Sequence, residues 1–429
     1  MLLTQPAEHI HESGTISHDE SRTFDEVHAR VHSDDEGKWD VVLPRTETVM
    51  QDGKIFFPDC RAYECESGLE LSSWATGQIC SRLNIPSAYF KRCPVQLQDA
   101  QFNWWNGDRL EESFDDANAQ EGSGESFQSL NGYHDQQEFE PDSYRNGSSQ
   151  AIGYDFKSGL YTGQGKAERW LLRAKGETLR AVLTDRYTPI DNRMLLRCLH
   201  RSLPSHLNVQ WIALDEESFH LRLFDPTRVI EVKNGDPLMA GIHISNSEVG
   251  KRSVTIDAIV YRQVCSNGLI RLIKGKSLMQ QRHIAVAPAH FVSLLQRAMQ
   301  QALSVSHEFL EQMALSASEP INDVESEMKK LATDWHLSQV FVEQVEDRLL
   351  DEERAHQDKL FGLVNALTRA AQSLDAEKRY DMEVLAGKFL ERRLAKRERD
   401  VARSNKLMAL PHPAIESAKV LLGAEEVTS

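Results

Sequence analysis

Two short segments of this 429-residue chain interleave cations with apolar residues: Arg169-Trp170-Leu171-Leu172-Arg173-Ala174 and Thr178-Leu179-Arg180-Ala181-Val182-Leu183-Thr184, with Lys175-Gly176-Glu177 between them. Strand, turn, strand is the expected form, a β-hairpin. Successive strand side chains point to opposite faces. Arg169, Leu171, Arg173 and Lys175 then share one side of the first strand, and Thr178, Arg180, Val182, Thr184 and Arg186 share one side of the second. If those sides coincide, five cations meet on one face. Like charges opposed across a strand pair are destabilising, so such a face calls for internal carboxylates or an external polyanion. With Trp170 and Tyr187 nearby, a single-stranded nucleic acid would meet both charge and a stacking surface. The plainer reading is a solvated face balanced by Glu168, Glu177 and Asp185.

A second candidate is Arg262, which interrupts the apolar side Val254, Ile256, Ala258, Val260, Val264 of a strand expected over 253–265. A guanidinium there needs a partner, and Glu248, Asp185 or Asp191 could supply the carboxylate. A structural ion pair is the plainer outcome, an anchor for a ligand or phosphate the sharper one. The segment Glu391 to Lys406 carries Arg392, Arg393, Lys396, Arg397, Arg399, Arg403 and Lys406 against three acids. It reads as an exposed helix with favourable charge near its C-terminus, or as a second phosphate-binding strip.

Enzyme signatures are scarce. Gly275-Lys276-Ser277 resembles the end of a phosphate-binding loop, but Ile270 stands where the first glycine belongs. No His-Glu-x-x-His, Gly-x-Ser-x-Gly or Gly-x-Gly-x-x-Gly pattern occurs. Cys60, Cys65, Cys80, Cys93, Cys198 and Cys265 are spread without a Cys-x-x-Cys knuckle, so reduced thiols are expected, with no metal or cofactor. His9-x-His11 reads as solvated. An enzyme would need Asp185, Asp191, Glu248 and Arg262 to meet in a cleft, binding Mg²⁺ or relaying protons.

The elements that must position these residues follow from periodicity. Residues 1–40, with ten acids and five histidines, read as a disordered acidic tail. Residues 41–110 form an N-terminal α+β portion, with two strands around a turn over 41–57 and a helix over 71–83. An acidic low-complexity insert or linker occupies 111–155. The antiparallel-sheet core spans 156–287: the hairpin, a helix from Asp191 to Leu203 with Asp191 as a possible cap, and strands at 208–214, 218–224, 238–247 and 253–265. Helices follow over 288–410, at 290–315, 321–335, 337–350, 352–374 and 376–406, and 411–429 is a flexible tail. The fold class is α+β, an antiparallel sheet with a packed helix followed by an all-helical C-terminal region.

The net charge of −16 is unevenly spread: −7 over 1–40, −10 over 111–155, −7 over 299–429, but +9 over 156–298. An acidic total thus hides a basic middle, flanked by acidic segments whose repulsion from phosphate argues against a simple DNA-coating protein. The 40% hydrophobic and 27% charged composition excludes collagen-like and wholly disordered classes, and no run approaches a membrane span. A cytoplasmic protein without membrane partners is expected.

Three motifs then matter together: Arg180-Ala181-Val182-Leu183-Thr184-Asp185-Arg186-Tyr187-Thr188-Pro189-Ile190-Asp191-Asn192, Ile244-Ser245-Asn246-Ser247-Glu248-Val249-Gly250, and Arg262-Gln263-Val264-Cys265-Ser266-Asn267-Gly268. Trp74-Ala75, Ile85-Pro86 and Asn365-Ala366-Leu367-Thr368-Arg369-Ala370-Ala371 add to them. In that order the chain resembles, from about residue 41 to 390, the phage/plasmid-type family of uncharacterised proteins carried by mobile elements. Thr184 stands where many relatives are expected to have Ser. The resemblance implies a setting of DNA maintenance, recombination or host defence. Joined to the basic hairpin, it makes non-enzymatic binding of single-stranded DNA the leading expectation. Arg169, Arg173, Lys175, Arg180 and Arg186 would contact phosphates and Trp170 and Tyr187 would stack on bases, in a homo-oligomer that holds or anneals strands. Asp191, Asn192, Asn246, Glu248, Arg262 and Asn267 would be structural or ligand-anchoring, as turn and cap devices. A protein-interaction or assembly role through the C-terminal helices is the first rival, a metal-dependent carboxylate enzyme the second.

Overall fold

A computed structural model describes residues 23–58, 60–106, 153–155, 160–162, 168–232, 235–263, 267–272, 276–352 and 354–408. The chain divides into two compact units, Gly37–Asp185 and the remainder. Among the described residues no helix is long and apolar enough to cross a membrane.

The remainder opens with α1 (Phe24–Asp35), inside the stretch expected to be disordered. Two local features account for the helix. Thr23 and Glu26 form a reciprocal capping box, and Val27 and Val31, one turn apart, are fully buried. They pack with Ile190, Leu195 and Leu199, contacts that composition cannot show.

Unit Gly37–Asp185 holds β1 (Lys38–Pro44), β2 (Val49–Gln51), β3 (Lys54–Phe56), β4 (Leu69–Leu71), α2 (Ser73–Leu83), α3 (Ser87–Phe90), α4 (Val95–Asn106), β5 (Gly153–Asp155), β6 (Leu160–Thr162), β7 (Arg169–Lys175) and β8 (Thr178–Thr184). β5 and β6 pair with each other, and the other six strands form a sheet in the order β1-β7-β8-β4-β3-β2. The expected hairpin is present as β7–β8, but its sheet is completed by strands from the first quarter of the chain. It does not belong to the sheet that follows it in sequence. Side chains from α2 and α4, among them Ala75, Ile79 and Phe102, close the core over Leu43, Ile55, Trp170, Leu172 and Val182.

The other unit continues with α5 (Asn192–His200), β9 (Asn208–Leu214), β10 (Phe219–Glu231), β11 (Pro237–Asn246), β12 (Val254–Arg262), β13 (Asn267–Arg271) and β14 (Met279–Gln281). Five of these strands form an antiparallel sheet in the order β13-β12-β11-β10-β9, with β14 also paired to β12. α6 (Pro288–Ser316), α7 (Val324–Asp334), α8 (Gln339–Leu350), α9 (Leu360–Ala370) and α10 (Ala376–Met408) complete it, so the fold is α+β with a helical C-terminal region. The helix expected from 352 begins eight residues later, at Leu360. The segment before it turns back so that Ile321 N–H donates to Asp358 O and Leu360 N–H to Glu319 O. All of α9 except Arg369 is buried, as an almost wholly apolar helix requires.

The sheet has two unlike faces. On one, Leu221, Leu223, Ile242, Ile244 and Ile256 meet Phe291, Leu295 and Met299 of α6. The residues between them in the same strands, His220, Arg222, His243, Ser245, Thr255 and Asp257, point the other way and are also buried. The start of α10 lies over them. It approaches so closely that a Cβ at Gly387 would stand 2.1 Å from Ile270 O in β13. Gly387→Ala therefore forces α10 off the sheet edge, and chemical denaturation should show a loss of about 1–3 kcal/mol.

Candidate nucleic-acid interface

The hairpin does not present its cations as expected. β7 and β8 pair Trp170 with Thr184, Leu171 with Leu183, Leu172 with Val182 and Arg173 with Ala181, and then the partner of Ala174 is Leu179. Directly opposed residues share a face, so Val182 and Thr184 lie with Trp170 and Leu172 and away from Arg173. Arg180 is the extra residue of the bulge. Burial decides the rest. Trp170 is 0% exposed, stacked on Trp105 at 5.8 Å with Phe102 edge-on at 6.1 Å. Arg173 is 3% exposed and donates to Asp40 of β1 at 2.9 Å, while Arg180 is 4% exposed. Stacking of a base on Trp170, or phosphate contact by Arg173 and Arg180, is incompatible with these positions. Arg169 is exposed and donates to Val42 O, and Lys175 is half-buried. Arg186, exposed, and Tyr187 belong to the other unit.

Tyr187 begins a joint that gathers two of the three motifs. Its hydroxyl donates to the carbonyls of Ser247 and Glu248, both at 3.1 Å, and its ring lies parallel to His283 with centroids 4.8 Å apart. The buried carboxylate of Glu248 accepts the Asn192 N–H at 2.8 Å. It thereby supplies to the start of α5 the acceptor that the side chain of Asp191, at the N-cap, does not. Asn246 Nδ2 donates to Ile190 O and to Asn192 Oδ1, both at 2.8 Å. Asn267 pairs with Arg262 through the backbone of β13, and its side chain lies outside the described ones.

Arg262 is paired, but with none of the three expected acids. Its Nε and Nη2 donate to Asp236 at 2.8 Å, and Nη1 donates to both oxygens of Glu352 at 2.9 Å. All three residues are buried. Asp236 and Glu352 sit in turns whose return to the end of β12 depends on tertiary path, which strand periodicity does not encode. The carboxylate cleft of an enzyme is therefore not assembled around Arg262. Among the described residues no three His, Cys, Asp or Glu side chains are grouped to hold a metal ion.

Sequence reasoning missed the polar layer under α10. Arg222 makes a bidentate pair with Glu383, which also accepts from Arg379 Nε at 3.1 Å, and both guanidiniums lie over Trp211, at 4.5 and 4.8 Å. His220 Nδ1 and His243 Nε2 are 3.2 Å apart. The other imidazole nitrogens face carboxylates: His220 Nε2 lies 3.5 Å from Glu377 and His243 Nδ1 4.0 Å from Asp257. Tyr380 donates to Asp257 at 2.9 Å, and Arg252 pairs with Glu377. Burial lowers both histidines, His243 well below its usual value with the Arg222 charge adding to the effect, and brings Arg222 down to about 10. Burial also pushes Asp257 up to about 6, against the pull of the Ser277, Tyr380 and Thr255 hydroxyls. The alternation in Phe219-His220-Leu221-Arg222-Leu223 was the available signal, but by itself it reads as a wet face.

A row of exposed cations lies on α10. At 100° per residue, Lys388, Arg392, Lys396, Arg399 and Arg403 fall within an arc of about 80° and span about 22 Å of helix. Lys388 is half-buried and the other four are exposed. The neighbouring cations that face the protein are neutralised, Arg393 by Glu327 at 3.8 Å and Arg397 by Glu319 at 3.2 Å. Arg392, Lys396, Arg399 and Arg403 have no such ion pair among the described residues. Asp400 borders the stripe and Glu398 lies across the helix from it.

A family model described as a domain of unknown function (DUF932) matches residues 180–400. The chain belongs to that family. No curated protein and no solved structure matches it. The DUF932 span takes in the joint, the Arg262 cluster, the polar layer and the stripe as far as Arg399. All of the hairpin's first strand, and the unit Gly37–Asp185 up to Leu179, precede it.

The raised carboxyl of Asp257 sets a pH signature. Its folded value of about 6 exceeds its ordinary 3.8, so the penalty for burying its charge is full above about pH 6 and absent below about 4. Asp257→Asn, which keeps an acceptor for Tyr380, should raise stability at pH 8 by about 3 kcal/mol. Denaturant titrations at several pH values should show that gain shrinking through pH 6 and vanishing near pH 4.

Proposed function

We propose that this DUF932 protein is a non-enzymatic binder of single-stranded DNA, acting as a strand-holding or strand-annealing oligomer of a phage- or plasmid-type element. In this reading the α10 stripe makes the contact and the β7–β8 hairpin does not. The carrying observation is the exposed row Arg392, Lys396, Arg399 and Arg403, whose neighbours Arg393 and Arg397 are already paired. Three guanidiniums and an ammonium in a line, each about a turn from the next, suit a polyanion read by its backbone. Beside the row is an open depression of about 350 Å³, lined by Pro320, Asn322, Lys396 and Val401 among others, where a sugar or base could rest. The mobile-element setting is carried only by the sequence resemblance. The overall charge of −16 opposes any nucleic acid. Binding should accordingly be weak at physiological salt and strong when salt is low.

Fluorescence anisotropy with a single-stranded oligonucleotide should give log K falling with log salt at a slope near −3, about 0.7 for each of four phosphate contacts. The pair Arg399→Ala, Arg403→Ala should reduce that slope by about 1.4, and Arg169→Ala should leave it unchanged. Absence of binding at 50 mM salt, or the same slope in the paired variant, overturns the assignment.

A further inference from the structure

We propose that Ala376–Gly387, the first third of α10, is a proton-released cover: acidification charges the His220–His243 pair, and this stretch lifts from the sheet. The device is separate from nucleic-acid binding and would operate whatever the stripe holds.

The coverings of the two faces of the β9–β13 sheet differ in charge. α6 is held by apolar contact, which is indifferent to pH. The first third of α10 buries Ala376 against Trp211 and Ala213, Val384 against Ile259 and Ile270, and Met382 and Ala386 in the core that holds α9. What else attaches it is charge: Glu377, Arg379, Tyr380 and Glu383 reach into a layer made by His220 and Arg222 of β10, His243 of β11, Asp257 of β12, Arg252 of the β11–β12 turn and Ser277 before β14. Lys251, beside that turn, is occupied by Glu217 at 2.7 Å. Three guanidiniums balance three carboxylates, so the layer is neutral only while both imidazoles are.

Geometry leaves a place for one added proton, on an imidazole nitrogen that faces a carboxylate, but none for a second. The imidazoles share one contact of 3.2 Å, which serves a neutral pair as donor and acceptor and sets two donors against each other once both are charged. His220 Nε2, His243 Nδ1 and Asp257 Oδ1 are buried without a hydrogen bond, so the closed layer is under-satisfied already. A lifted helix returns all of these groups to water.

The sign follows group by group. Both histidines sit below their ordinary value when covered, so uncovering takes up protons as pH falls through about 6.5. Asp257 sits above its ordinary value when covered, so it opposes opening between about pH 6 and 4. Two sites against one leave a net uptake of protons on opening as pH falls below about 6.5.

Hydrogen exchange on the full chain, corrected for the intrinsic pH dependence of amide exchange, reads this directly. From pH 7 to pH 5.5, protection of 376–387 should fall several-fold while α6 keeps its protection. Asp257→Asn should steepen the fall, and the double variant His220→Asn, His243→Asn should abolish or reverse it. Unchanged protection of 376–387, an equal loss in α6, or a pH response unaltered by Asp257→Asn overturns the proposal. If the double variant does not fold, the Asp257→Asn slope decides alone.

Discussion

Glu383 of α10 receives two guanidiniums, Arg222 from the sheet and Arg379 from one turn earlier in its own helix, and all three are buried. In a medium of low dielectric constant, removing Glu383 leaves two unmatched guanidiniums, at a cost of about 3–5 kcal/mol or more. Such a cluster is therefore a poor source of net stability and a strict source of register. Only one placement of α10 sets Glu383 on Arg222, Tyr380 on Asp257 and Gly387 against Ile270 together. Trp211, roofed by both guanidiniums, fixes the planes of the cations as well as their positions. The direction in which the rest of α10 leaves the sheet, and hence where its exposed cations point, follows from this clasp.

Other polar side chains do similar work elsewhere. Tyr187, Asn192, Asn246 and Glu248 tie the start of α5 to the end of β11 through side chain to backbone hydrogen bonds. Arg262 ties the end of β12 to the turns at Asp236 and Glu352. Each satisfies backbone or charge that the fold would otherwise bury unpaired. They act as joints, and the surface suited to a ligand lies away from them.

Two strand sets carry cations in alternation, and Arg173 and Arg180 of one and Arg222 of the other are covered. β7 and β8 lie inside their sheet, flanked by β1 and β4, and are buried along nearly their whole length. β10 to β12 have a helix over each face. A long helix has more freedom: it can bury one stripe, pair the flanking residues and leave a third row in water. That difference in packing explains why the exposed basic row is on α10, although the sequence there reads first as an ordinary charged helix.

Local chemistry alone determined much of this protein. Period-two and period-3.6 patterns placed the β7–β8 hairpin, β9, β11, β12, α5 and, apart from the start of α9, the C-terminal helices within a few residues, because those periods are properties of the backbone. The need of Arg262 for buried carboxylates was equally legible, since a guanidinium on an apolar strand side has no other stable state. Tertiary structure decided the partners: Asp236 and Glu352 for Arg262, Asp40 for Arg173, Glu383 for Arg222. It also decided which polar faces are wet. Alternation says that a strand has two sides but not what lies over each, and that depends on where residues more than a hundred positions away return in space.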